Sequence, residues 1–479
     1  MSRALDPAFL TALATVPSTA WASWFGDVAG CNRPGSPLAL ITTFALPPGK
    51  GLAGICLFQP ASSDGAPTLQ QAALRHWSGA APDGAHVLHQ EVTPDGEPLW
   101  ALTSAWSDPD LSAWLREALS AGAVLRSDGW EWVATPEQSA VSRLASGGAR
   151  QIEGRRHDVV LFEPGAVAIM YRQMTRGGQP ELDLLRHLER VPVLRVAPTL
   201  LGSAIVRAPD GQRSASALLE EIVPGAATVR SLIVGRLRRA LDGDPSLQAA
   251  ALDDVRAVGL TTRALHAALG RPFEEGVLIG ASPASVADVE AWSARAFSTL
   301  SVASLALRAS GSSDAALLAA LDVLPVKLQQ FAAAAETAPG LVHRIHGNLR
   351  LDTVLISPPR KLSVVEFDGD AFLSDIERVA PQSPWRDVAR VLVSIAEVAA
   401  EAAGSAGGDE KAFEIAWLWE REARKACLEG YGSGGGALHA LLAIFEMEFA
   451  ARILLDAVAT GGTTAVASHT LVRLTRTIV

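Results

Sequence analysis

The chain divides into two textures, and that division limits its fold more than any single motif. Short β-rich runs crowd residues 150–225, whereas residues 228–340 are Ala- and Leu-rich with few strand signals. In the first block Asp158–Phe162 and Ala166–Tyr171 flank Glu163-Pro164-Gly165, a turn signal, and read as a hairpin. Pro180–Leu188 follows as an amphipathic helix with Pro in its first turn. Further strands are expected at 193–207 and 217–223, the second ending at Pro224-Gly225. In the helix-rich half, short strands at 342–345, 353–356 and 363–367 surround a loop. Helices are expected over 387–403, 413–428 and 437–459, the last two joined by a glycine-rich connection at 432–436.

A chain of 479 residues is expected to hold about three domains. Eight of the 12 tryptophans precede residue 133, which marks a separate N-terminal unit. Its runs at 37–46 and 51–58 read as strands about Pro47-Pro48-Gly49-Lys50, and Ser107–Asp110 caps a helix running to about Ala121. The Ser/Gly-rich stretch 142–148 is a boundary signal, so the expected domains are 1–148, 149–226 and 227–479. With 41 basic and 51 acidic side chains the net charge is −10, which argues against nucleic acid or anionic membrane as partner. Cys31, Cys56 and Cys427 share no metal-type spacing, and so sparse a count suits a reducing compartment. No unbroken apolar run reaches the ~18 residues that a bilayer span requires. A cytoplasmic location is expected.

Chemistry-bearing residues converge on His346-Gly-Asn-Leu-Arg-Leu-Asp-Thr353, on Val365-Glu-Phe-Asp-Gly369, and on Glu377-Arg-Val-Ala-Pro-Gln-Ser-Pro-Trp-Arg-Asp-Val-Ala389. Together these resemble the maltokinase branch of the aminoglycoside-phosphotransferase-like kinases, in which the last segment reads Glu-Arg-x-Ala-Pro-x-Ser-Pro-x-Arg-Asp-Val-Ala. The resemblance implies an α+β, protein-kinase-like bilobal fold with an N-terminal α/β cap. It implies Mg-ATP as cofactor and a small saccharide as acceptor, in trehalose, maltose or α-glucan metabolism. A trehalose synthase or another sugar-metabolising enzyme is the partner it implies.

The departures from that pattern carry the functional expectation. Phosphoryl transfer needs a carboxylate near the acceptor hydroxyl, oxygen ligands for Mg²⁺ and a cation on the ATP phosphates. The base position holds Asn348, whose amide cannot take a proton. Arg350 replaces a histidine, Asp352 is the nearby carboxylate that could substitute as base, and Thr353 replaces a metal-binding glutamine. Glu366 and Asp368 are the remaining metal candidates, two apart on an expected strand and so on one face. The lysine that orients ATP is replaced by Ile169 or Met170, with Asp183 retained as the acidic partner on the following helix. Arg156, His157 and Met170 with Glu221 and Val223 of the hinge complete the nucleotide-facing positions. His346 is expected as a structural ring, and Arg386 and Asp387 as an ion pair or helix cap. The segment 377–389, stiffened by Pro381 and Pro384, reads as a rigid charged contact surface for a partner or as an internal brace. These residues predict a folded protein released from phosphoryl transfer, a pseudokinase that acts by binding or regulation, with weak or absent Mg-ATP binding. An active sugar or aminosugar kinase with rearranged groups is the enzymatic alternative, and a nucleotide-independent saccharide-binding module the third.

Overall fold

The computed structural model describes residues 5–25, 38–49, 51–60, 69–137, 147–152, 157–174, 180–191, 195–223, 225–244, 246–272, 280–370, 372–432 and 436–477. The chain forms two compact units. One comprises Met1–Glu189, Pro198–Pro224 and Ala371–Arg378; the other comprises Arg190–Ala197, Gly225–Asp370 and Val379–Val479.

The first unit is built on two antiparallel sheets. One runs in the order Leu38–Ala45, Ala53–Pro60, Leu69–Ser78, Pro98–Ser104, Val87–Val92, and Gln173–Met174 adds to its third strand. Helices Pro7–Thr15 and Ser18–Phe25 cover it through Phe9, Leu13, Trp21, Trp24 and Phe25, which pack on Phe58, Leu74 and Leu102. The expected strands at 37–46 and 51–58 thus lie within the described residues as a paired hairpin. The other sheet runs Ala123–Ser127, Trp130–Pro136, Leu200–Arg207, Arg213–Glu221, Ala166–Tyr171, His157–Phe162, Ala149–Ile152. Residues from both sides of position 148 therefore share one sheet, and the 1–148 and 149–226 segments do not fold as separate units. Buried polar bonds tie the two sheets together. Gln71 donates to the carbonyls of Tyr171 and Ser216 at 3.2 Å each, and the Ser216 hydroxyl donates back to the Gln71 Oε1 at 2.5 Å. Four of the eight tryptophans of this region, Trp21, Trp24, Trp106 and Trp132, are buried and serve packing.

In the second unit, helix Trp385–Ser405 is buried along most of its length and carries the strongest apolar segregation of the long helices. Helices Ser246–Leu269, Val286–Ala309, Ala315–Glu336, Glu410–Tyr431, Gly436–Thr460 and Ala465–Thr475 pack with it as one helical body. Two glycines allow the tightest of these approaches. A Cβ on Gly259 would stand 2.1 Å from the carbonyl of Cys427, and one on Gly430 would stand 2.3 Å from that of Arg256. Helices Ser246–Leu269 and Glu410–Tyr431 accordingly touch backbone to backbone, which brings His266 and Tyr431 together. Helix Ala315–Glu336 is long and apolar enough to cross a membrane by length and composition; here Leu317, Leu321, Leu324, Leu328 and Phe331 are buried within this unit.

Two strands differ from the sequence reading, and one of them moves two candidate residues. The strand expected from 193 begins at Leu200. The strand expected to reach Phe367 ends at Val364, because Glu366 takes φ +65° and Gly369 φ +81°. Glu366 and Asp368 therefore lie on a turn, and the two-residue alternation that would place them on one strand face does not apply.

Candidate functional site

Everything around the loop 346–353 is organised by one buried carboxylate. Asp387, 1% exposed, opens helix Trp385–Ser405 and accepts the backbone N–H groups of His346 at 2.9 Å and Gly347 at 2.8 Å. Its Oδ2 also meets Nε2 of His266 at 3.2 Å, and Nδ1 of His266 meets the Tyr431 hydroxyl at 3.0 Å. Burial alone would raise the Asp387 carboxyl, but the bond and charge of His266, together with His346 and the Gly347 N–H, outweigh it and hold it low. Gly347 adopts φ +85°, and a Cβ there would stand 3.2 Å from the Gly369 Cα, so the loop and the 366–370 turn lie backbone against backbone.

His346 is fully buried. Its Nε2 lies 3.0 Å from the Val365 carbonyl and its Nδ1 accepts the Asn348 N–H at 3.3 Å, so both ring nitrogens are committed to holding the loop. Beneath it lies a charged cluster with almost no access to water. Arg386 donates to Glu448 at 2.7 and 3.0 Å and to Asp370 at 2.9 Å, with Phe449 stacked on its guanidinium at 4.9 Å. Arg452 pairs with both carboxylates, and Arg295 reaches Glu448 at 3.3 Å. Burial would raise the Glu448 carboxyl, yet these arginines pull it down to about 2. Arg386 and Asp387 thus bond to different partners and not as the expected pair, and both are buried, so neither belongs to an exposed contact surface. Of the segment 377–389, Glu377 and Pro381 are exposed and Arg378 is half-buried.

The reacting positions are differently furnished. Asn348 is half-buried at the loop tip, offering an amide. Asp352 faces two guanidiniums, Arg230 at 3.6 Å and Arg350 at 3.7 Å, and Arg230 is bound in turn by Glu401 and approached by Glu397. Thr353 is fully buried, and its hydroxyl both accepts the Arg350 N–H at 2.9 Å and donates to the Arg350 carbonyl at 3.0 Å. It closes a turn and does not point to a metal. Glu366 keeps a solvent-open edge, but the protein crowding its other sides, and then Asp368, raise its carboxyl, against the pull of Arg350 and His346. Among the described residues no group of three or more His, Cys, Asp or Glu side chains is placed to hold a metal.

In the first unit the nucleotide-facing candidates also part ways. Arg156 lies outside the described residues. His157 pairs with Tyr171 across the sheet, and its ring packs edge-on against the Tyr171 ring at 5.2 Å. Met170 is 1% exposed on the core face with Ala166 and Ala168, so it is not a nucleotide contact. Ile169 occupies the opposite, half-open face. Glu221 accepts the Thr199 hydroxyl at 2.8 Å, and Val223, half-buried, follows the end of its strand. The link from strand to helix is made by a pair that the sequence reading missed: the Tyr171 hydroxyl donates to Glu181 at 2.8 Å, both side chains buried. Asp183 was expected in that role. A phosphate-orienting lysine would need a carboxylate partner at this point, and here Glu181 is bound by a neutral phenol. Among the described residues, the position expected to carry the ATP-orienting cation holds the apolar Ile169 and Met170.

Alternating burial made the strands legible, but the buried acids carried a signal that went unread. Glu446 and Glu448 lie among buried apolar residues of helix Gly436–Thr460, with Arg452 one turn beyond, and charges on a buried face require buried partners.

No family model matches the sequence. Among solved structures, the chain is similar to a glucosamine kinase in complex with glucosamine, ADP and inorganic phosphate, with TM-score 0.65 and 20% identity over 96% of this chain and 97% of that one. A second crystal form of glucosamine kinase gives TM-score 0.62 and 19% identity over 99% and 98%. At such identity the likeness establishes the fold: α+β, of the protein-kinase-like, aminoglycoside-phosphotransferase type.

Proposed function

We propose that this protein is a sugar-kinase-type protein with an impaired phosphotransferase site, a pseudokinase of the maltokinase-like or aminosugar-kinase-like group that acts by binding. One observation carries the reading: the loop scaffold is fully bonded, while the base position is an amide and the nearest alternative, Asp352, is held between Arg230 and Arg350. Loss of a general base costs typically ~10²–10⁴-fold in rate. The phenol of Tyr171, where a lysine would be needed beside Glu181, adds a separate defect in phosphate positioning. No step of a transfer reaction is assigned to these residues. The role that remains is recognition of a saccharide, or of a sugar-metabolising partner such as a trehalose-synthase-like enzyme, whose contact would fall on Glu377 and Arg378.

The second reading, an active sugar or aminosugar kinase with rearranged groups, is favoured by the likeness to glucosamine kinase over nearly the whole of both chains. Thermal unfolding of the intact protein with Mg-ATP separates the two. A nucleotide that binds the native state at 100 times its dissociation constant adds ~2.7 kcal/mol, a shift that cannot be missed. The pseudokinase reading expects no shift up to millimolar Mg-ATP; a micromolar dissociation constant removes it.

A further inference from the structure

A cavity of about 880 Å³ opens in the second unit between the start of helix Ala315–Glu336, the first half of helix Glu410–Tyr431 and helix Ala465–Thr475. It is separate from the loop just described. Trp417 lines it, whereas Tyr431, which touches the loop network through His266, lies at the far end of the same helix, ~21 Å away at ~1.5 Å per residue.

Its floor is aromatic and its walls carry both signs of charge. Trp417 stacks flat on His469, with centroids 3.9 Å apart and planes 7° from parallel, and Phe413 lies beside it at 6.0 Å. Behind them Glu420 is 1% exposed yet lines the cavity. One of its oxygens meets His469 at 3.3 Å. The other has no hydrogen-bond donor, its nearest cation being Arg424 at 3.7 Å. Arg473 gives its terminal nitrogen to Glu446 at 3.0 Å, while its buried Nε has no acceptor. Glu420 Oε1, ion-paired with Arg424, and the Arg473 Nε are both shut off from solvent without a hydrogen bond, so the wall behind the aromatic floor is charged and buried.

From this geometry we infer a second small-molecule site, for a neutral saccharide of one or two pyranose rings. The volume lies within the ~300–1,000 Å³ of small-molecule sites. Four carboxylates and three guanidiniums line the cavity, so an anion meets the first set and a cation the second. An uncharged polyol meets neither penalty, and each of its hydroxyls both donates and accepts, so it suits the carboxylate and the guanidinium walls alike. The carbon face of a pyranose ring has the flat apolar surface that Trp417 and Phe413 complement. The inference stands apart from the phosphotransfer reading.

Isothermal titration of the intact protein with maltose tests it. Binding should weaken at least tenfold in Glu420→Gln and in Trp417→Ala. Because those two changes touch packed residues, Ala316→Trp supplies the third arm: Ala316 is exposed at the cavity rim, so a bulky side chain there fills the opening without disturbing the core. It should abolish binding while the melting temperature holds. Overturning results are no binding of maltose or glucose to the native protein, or binding unchanged in Ala316→Trp. Binding lost in Asn348→Ala but retained in Ala316→Trp would place the sugar at the loop and also overturn the site. So would binding of AMP or of glucosamine cation at this cavity without maltose.

Discussion

Two layers of the same helical unit treat charge in opposite ways. Beneath the 346–353 loop, Arg386, Asp370, Glu448, Arg452 and Asp387 are buried and each has its counter-charge or N–H partner in place. At the front, where a phosphoryl group would be handled, Asn348 is neutral, Asp352 is occupied by two arginines, and Thr353 is spent on a turn. A sequence drifting toward unfolding would lose the buried layer first, because an unmatched buried charge costs ~3–5 kcal/mol. Here the costly layer is complete and the chemical one is not. That contrast is the one on which the proposed pseudokinase reading rests.

The largest expected effect is on the buried layer. Arg386→Met strands Glu448 and Asp370 without their shared cation and should lower unfolding stability by about 3–5 kcal/mol in denaturant titration. A loss under 1 kcal/mol would mean that Arg452 and Arg295 suffice, and would break the idea of a single cluster.

Acidification probes two buried groups of this unit, His343 and Glu448, in order. Burial, and then His266, lower the His343 imidazole to about 4, against the Arg344 carbonyl bond and Asp387, which favour its charged form. A histidine depressed in the fold leaves the unfolded chain to take the proton first. Its contribution is intact above about pH 6.5 and is lost as pH falls toward 4, a total on the order of 3 kcal/mol. Glu448 adds a second stage, intact above about 4.5 and lost as pH falls toward 2. Stability measured from pH 7.5 to 4 should therefore fall, and His343→Gln should flatten that first limb. A limb that persists in the variant would assign it elsewhere.

Tyr171→Phe tests the neutral bridge in the first unit. It leaves Glu181 without the phenol and should cost about 1–3 kcal/mol. If nucleotide affinity rises in the variant, the bridge is the obstacle to Mg-ATP; we expect no rise, because Ile169 supplies no cation. The smallest effect is expected of Asn348→Asp, within about 0.5 kcal/mol in stability for a half-exposed loop tip and without restored transfer. Transfer regained by this change alone would show that the front layer lacks a base and nothing else.

Much of the fold was legible because period-2 and helical patterns survive wherever one face is buried. The hairpin 157–171, the helix from Pro180 and the long C-terminal helices all lie near their expected bounds. The first unit's strands at Leu69–Ser78, Pro98–Ser104 and Trp130–Pro136 were not read. Gln70, Gln71 and Thr103 point into protein there, so polar residues occupy positions where burial patterns lead one to expect apolar ones. In the site, the loop residues were placed by motif, but their partners were not. Tyr171 with Glu181, and Asp387 with His266, are joined across 10 and 121 positions by tertiary packing that no local spacing encodes.

The central claim is decided most directly by ADP release from Mg-ATP, measured on the native protein across maltose, glucose, glucosamine and an aminoglycoside. The account predicts no release above the sugar-free background with any acceptor. Acceptor-dependent release that disappears in Asn348→Ala would contradict it and make the protein an active sugar kinase.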